Sequence, residues 1–98
     1  MDKIFKALAD RNRRKIISLL KERDYAVTEM LKNFDIGQAT LSSHLAILKK
    51  AGIVSSKVDN KWRIYSLNKD ILMKFVRELV NFTEYDWIKN DEIIMRRK

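Results

Sequence analysis

The sequence predicts a mainly α domain carrying one small β-hairpin, and three observations lead there. Apolar side chains recur at helical spacing in five separate stretches. β-Branched and aromatic residues concentrate in one place only, IVSSKVDNKWRIYSL. Near the middle, two helical segments are separated by just three residues, DIG, which is the length of a tight turn. A chain of 98 residues with 46% hydrophobic content supports one core, so a single domain is expected over 1–98.

The elements follow in order. MDKIFKALAD sets Ile4, Phe5 and Leu8 on one side of a short helix over about 2–9. Asp10 then offers an N-cap to RNRRKIISLLKER, whose inward face is Ile16, Ile17 and Leu20. In VTEMLKNF, Val27, Met30, Leu31 and Phe34 fall at i, i+3, i+4 and i+7, although Ala26 has no side-chain oxygen with which to cap the start. Asp35 tolerates a left-handed backbone and Gly37 serves as the next N-cap, so DIG forms the break. In the helix that follows, over about 38–51, Leu41, Leu45 and Leu48 cluster within about 60° and must face the core. Ala39, Ser42, Ser43, Ala46 and Lys50 lie opposite, Gln38 and Thr40 flank the first turn, and Gly52 ends the helix. Strands are expected near 53–58 and 62–67, turning through Asp59-Asn60. Asn68 or Asp70 caps a last helix over about 69–82, where Ile71, Leu72, Phe75, Val76, Leu79 and Phe82 make a broad apolar stripe. The tail 83–98 fits a helical period only loosely, leaving open a sixth helix or an extension.

Lys and Arg number 21 against 13 Asp and Glu, a net +8 that suits a polyanion, either nucleic acid or an anionic membrane face, or else serves solubility. The chain has no cysteine, which excludes disulfides and thiolate metal sites and suits a reducing cytosol; a cytoplasmic protein is expected. No stretch approaches the roughly 18 apolar residues of a membrane span. One histidine and no thiol make a poor metal site, and Asp70, Glu78 and Asp86 are better explained as solvated acids than as a hard-cation cage. Neither metal nor cofactor is expected. Ser43 and His44 diverge by about 100° on a helix, so they do not form a nucleophile and base, and enzyme chemistry is not expected. Trp62 and Tyr65 fall on opposite strand faces, which argues against a stacking platform for single strands.

Two helices joined by a tight turn, the second polar on one side and followed by a basic hairpin, are the layout of a winged helix-turn-helix. Small polar side chains let a helix approach the floor of the DNA major groove, where Gln pairs with adenine and Ser donates or accepts. Thr40 and the first-turn amides suit phosphate oxygens. Lys49 and Lys50, with Lys57, Lys61 and Arg63 on the wing, set five cations against Asp59 between residues 49 and 63. The bland alternative is a solvated helix face, which this combination of turn, leucine seam and basic hairpin disfavours. His44 either reaches a phosphate or base edge or bonds to the protein itself.

With these residues in view, the chain resembles the ArsR family of winged-helix repressors over nearly its whole length. FKALADRNRRKIISLLKERD looks like the family's opening helices, QATLSSHLAILKKAGIV like its recognition helix and WRIYSLN like its second wing strand. The resemblance implies a symmetric homodimer held by its first and last helices, through Ile4, Phe5, Leu8, Leu72, Phe75, Val76, Leu79 and Phe82. It implies a recognition motif at Gln38, Thr40, Ser42, Ser43 and His44, which Ala39, on the outward side of the same helix, joins in the expected DNA-binding surface. Arg11-Asn12 replaces the usual Pro-Thr, and Gly37 the customary Ser before the recognition helix. YAVTEMLKNF lacks the cysteine pair, and the last helix the histidines, of metal-sensing members, so the chain looks most like the short cysteine-free autorepressors. The expected function is sequence-specific binding of an inverted repeat in double-stranded DNA, as a repressor whose own operon is a candidate target. A winged-helix adaptor that binds protein is the alternative, and no residue identifies a small-molecule or protein effector.

Overall fold

The structure is a computed structural model that describes residues 2–82; the expectation for the tail 83–98 lies outside them. Helix α1 (Asp2–Leu8) buries Ala7 completely and is followed by Asp10 in an extended conformation. The Asp10 carboxylate accepts from the amides of Asn12 (2.7 Å) and Arg13 (3.3 Å), which starts α2 (Arg11–Glu22) where the sequence placed it. Partial desolvation pushes the Asp10 pKa up, but these two amide bonds and the charges of His44 and Arg13 outweigh it and hold the carboxyl below its ordinary value.

Strand β1 (Tyr25–Ala26) runs straight into α3 (Val27–Leu31). The Glu29 carboxylate reaches back to accept from the Ala26 amide at 3.1 Å, supplying half of a capping box where Ala26 has no oxygen to give. The third helix ends at Leu31 and not at Phe34, and the break runs over 32–37 instead of three residues. The amides of Lys32, Asn33 and Phe34 bond to the carbonyls of Glu29, Met30 and Leu31, tightening the last turn into i to i−3 bonds. Phe34 still packs on the core, from this turn, where the Lys15 ammonium donates to the Asn33 carbonyl and lies 4.8 Å from the Phe34 ring centroid. Asp35 does not take up a left-handed backbone; among non-glycine residues described, only Asn60 does.

Helix α4 (Gln38–Lys50) has Gly37 as its N-cap, and Leu41, Leu45 and Leu48 are fully buried. Each such leucine contributes about 1.5–3 kcal/mol of burial. They meet Ile16 and Leu20 of α2 and Met30 of α3 in one core with Ala7, Tyr25, Ile53 and Val54. The helix closes on Gly52 (φ 82°), whose amide bonds to Lys49 O while Ile53 N bonds to Leu48 O, both at 3.0 Å, a Schellman motif with Leu48 and Ile53 buried together.

Strands β2 (Val54–Asp59) and β3 (Trp62–Leu67) pair antiparallel with Asp59 opposite Trp62. The two-residue loop is therefore Asn60-Lys61, one position later than expected, with Asn60 at φ 56°. The sheet also has a third strand that the hairpin pattern did not announce: its order is β1-β3-β2, with Tyr25 opposite Tyr65 and Ala26 opposite Ile64. Two residues are too few to show a period.

Helix α5 follows over 69–82, giving five helices among the described residues. Asn68, not Asp70, caps it: its side-chain oxygen accepts from Ile71 N at 3.3 Å, while its own amide donates to Ile53 O at 2.8 Å. Phe75 is buried, and the Phe5 ring meets it edge-on at 5.2 Å and 81°. Of the residues expected at a dimer interface, Ile4, Leu8 and Leu72 are partly buried against this chain's own core. Phe5, Val76 and Phe82 remain 46–58% exposed, joined by Met73 and Val80, which the stripe had not included.

Two measurements check these ends. Gly52→Ala forces a β-carbon into a left-handed backbone and should destabilise by about 1 kcal/mol, whereas Gly37→Ser, at φ −75° with open space around the new β-carbon, should add a few tenths; urea unfolding reads both. Because the folded pKa of Asp10 is depressed, its stabilisation is present above the unfolded value near 3.8 and lost as pH falls through the folded value. Asp10→Asn, which also caps, should flatten that part of the acid-unfolding profile.

Candidate nucleic-acid interface

The leucine seam sets the rotation of α4, and three stripes follow from it at about 100° per residue. Ala39, Ser43, Ala46 and Lys50 lie about 170° from the seam and are exposed. Three of these four are small, so the backbone of this face can come close to a surface. Ser43 donates its hydroxyl to Ala39 O at 3.1 Å, which leaves it only an acceptor to offer outward.

A second stripe, Gln38, Ser42 and Lys49, faces the wing. The Lys49 ammonium donates to Ser56 Oγ at 2.9 Å, and Arg63 Nη1 donates to the same oxygen at 3.3 Å, so two cations converge on one wing hydroxyl. Between helix and wing lies an open notch of about 390 Å³, where Gln38 and Ser42 meet Lys61, Trp62, Arg63 and Tyr65. The Lys61 ammonium sits 5.3 Å from the Trp62 ring centroid. Thr28, exposed on the first turn of α3, lines the notch from the other side, and Trp62 is 45% exposed within it. Sequence reasoning missed both as interface candidates. Only the pairing of β1 with β3, which brings the start of α3 beside the wing, identifies Thr28.

The third stripe, Thr40, His44 and Ile47, turns toward α1 and α2. Thr40 is exposed in the first turn, as expected of a phosphate contact. His44 is not: its side chain is 13% exposed, with Nδ1 at 3.1 Å from Arg13 Nη1 and Nε2 at 3.9 Å from Asp10 Oδ1. Of the two roles open to it, the structure takes the bond to the protein itself, and His44 leaves the set of DNA-contacting residues.

The expected cations do not form one patch. Lys61 and Arg63 line the notch and Lys49 shares Ser56 with Arg63, whereas Lys57, paired with Ile64, alternates onto the other face of the wing. Lys50 points away as well, joining Lys3 and Lys6 around Ile47 and Ala51. Among the described residues no group of three or more His, Asp or Glu side chains stands ready for a metal ion, and no helix is long and apolar enough to cross a membrane.

Residues 10–56, from the Asp10 cap into the wing, match the model of the bacterial regulatory protein, arsR family. The chain is 37% identical over 82 residues to the transcriptional repressor SdpR of Bacillus subtilis, covering 84% of this chain and 91% of that protein. It is 37% identical over 81 residues to the cadmium resistance transcriptional regulatory protein CadC of Lactococcus lactis, covering 82% of this chain and 68% of CadC. Among solved structures, it is similar to the homodimeric winged helix-turn-helix DNA-binding domain of Mb0332 from Mycobacterium bovis, with a TM-score of 0.69 at 26% identity over 86% of this chain and 79% of that one. Sequence and structure agree from the first helix to the wing, and the chain belongs to the arsR family of bacterial regulatory proteins.

Proposed function

We propose that this protein is a homodimeric, non-enzymatic transcriptional repressor that acts in the cytoplasm as one domain and binds an inverted repeat in double-stranded DNA. The observation that carries this is the rotation of α4: its small exposed stripe points outward while its Gln38 flank opens into a notch rimmed by Lys61 and Arg63. Ala39, Ser43 and Ala46 admit the helix to a major groove, and Gln38 and Ser42 meet base edges. Thr28, Thr40, Lys49, Lys61 and Arg63 meet the backbone phosphates on either side, with Lys57 on the outer face of the wing. In the dimer, the two recognition helices lie about 34 Å apart, in successive major grooves. Occupying promoter DNA then excludes the transcription machinery. SdpR, named a transcriptional repressor, and the homodimeric Mb0332 domain support the reading.

The dimer is formed by the exposed apolar side chains of α1 and α5, Phe5, Met73, Val76 and Phe82. Each of these contributes further burial only when a second copy covers it. Val76→Asp should therefore convert the dimer to a folded monomer, as read by light scattering on a sizing column, and weaken duplex binding. An unchanged mass would refute this interface.

Selecting duplexes from random DNA with the purified protein should yield a palindromic consensus. Against that duplex, Gln38→Ala should lose about 1–3 kcal/mol with little effect on a scrambled one, and Ser43→Glu should weaken binding while Ser43→Ala does not. Arg63→Ala should weaken binding to both duplexes and lower the logarithmic salt slope by about 1. Gel-shift titrations at several salt concentrations separate these outcomes, and equal losses on both duplexes for Gln38→Ala would deny it a specifying role.

A further inference from the structure

We propose that Arg13 is a positioning residue for DNA recognition: through the unprotonated ring of His44 it holds the recognition helix against α1 and α2, and proton uptake by that ring releases the hold. The inference rests on the DNA-binding function proposed above.

Arg13 spans three elements. Its Nε donates to Ala7 O at 2.7 Å and its Nη2 to Lys6 O at 3.0 Å, so two of its nitrogens satisfy carbonyls at the end of α1. Its remaining nitrogen, Nη1, lies 3.1 Å from His44 Nδ1 on α4. A guanidinium only donates, so Nδ1 must present its lone pair, and the ring proton therefore resides on Nε2. That nitrogen faces Asp10 Oδ1 at 3.9 Å. The charged groups meeting the ring are thus Arg13 and Asp10, both from the start of α2. From α1, Lys6 contributes its carbonyl to the same guanidinium, and among the described residues no charged side chain of α4 bonds to the ring.

A proton on Nδ1 abolishes the acceptor and sets two cations side by side. Asp10 Oδ1, which accepts from the amides of Asn12 and Arg13 and lies 3.9 Å from Nε2, does not restore the acceptor lost at Nδ1. His44 sits on the α4 flank that faces α1, opposite the flank that faces the wing. Without that hold, the leucine seam alone sets the aim of Gln38 and the small stripe, and recognition tolerates only about 10–20° of misorientation. Electrostatics alone predicts the reverse, because added positive charge strengthens binding to a polyanion. A loss of specific affinity on acidification is therefore diagnostic.

The full chain selects its duplex from random DNA, and affinities for that duplex and a scrambled one are measured between about pH 7.5 and 5.5, across the ordinary histidine range. The wild type should lose about tenfold on the selected duplex over this span and nothing on the scrambled one. His44→Asn, which keeps an acceptor near the place of Nδ1 and does not titrate, should bind with a flat profile. Arg13→Gln should bind weakly at every pH while remaining folded by circular dichroism. An undiminished pH dependence in His44→Asn, or equal weakening on both duplexes, overturns the proposal. Should no duplex be enriched, the DNA-binding function fails by itself, and the hold is judged without DNA. His44 is the only histidine, so its ring gives one Cε1–H resonance. Arg13→Gln should shift that resonance at neutral pH, and an unmoved resonance overturns the hold.

Discussion

The burial of Leu41, Leu45 and Leu48 is the constraint on which the rest depends. A helix has one rotational setting that puts three leucines into a core, and that setting assigns every other side chain of α4 a direction. The small residues go outward, Gln38, Ser42 and Lys49 toward the wing, and His44 toward α1 and α2. Both ends of the helix are fixed as well, by Gly37 before it and by the Schellman bonds at Gly52 after it. The chain then leaves α4 directly into β2 through Ile53, so the wing inherits its place from the same seam.

What the sequence disclosed, it disclosed through local signals. Helices α1, α2, α4 and α5 follow from periodicity and from caps at Asp10 and Asn68, since both depend on residues a turn apart. What escaped it depends on partners far along the chain. Strand β1 exists because Tyr25 and Ala26 pair with Tyr65 and Ile64, 40 and 38 residues away and without local pattern. Phe34 continues the α3 period yet lies in a turn, because an apolar residue satisfies the core equally well from either conformation. The hairpin register was one residue off because Asn60 suits either position of a two-residue turn, and the pairing of Asp59 with Trp62 sets it in the first.

The candidate site divides along the same line. Exposure of Gln38, Ser42 and Ser43 was legible from helix geometry alone. The scattering of the cations was not: Lys49 and Lys50 are neighbours in sequence, yet one bonds to the wing and the other stands beside Lys3 and Lys6. Net charge suited a polyanion or plain solubility and carried no information on where the cations would stand. Five basic residues counted between 49 and 63 thus resolve into a rimmed notch, one lysine on the wing's far face and one beside α1.

One path through the fold joins the exposed apolar face of α1 and α5 to α4. Phe75 of α5 holds the Phe5 ring of α1; the last carbonyls of α1 hold Arg13 of α2; Arg13 holds His44 of α4. Each contact is between side chains or groups with one good geometry: an edge-on ring pair, a three-pronged guanidinium, an imidazole with a single lone pair. The helix pair proposed to join two subunits is thereby tied to the orientation of the helix proposed to read the groove. In the proposed dimer the distance between half-sites and the contacts within each half-site are not independent, because moving α1 moves the carbonyls on which Arg13 rests. The polar cluster at Arg13, Asp10 and His44 is the only hydrogen-bonded link between α4 side chains and the first two helices among the described residues, so it is where that dependence is concentrated.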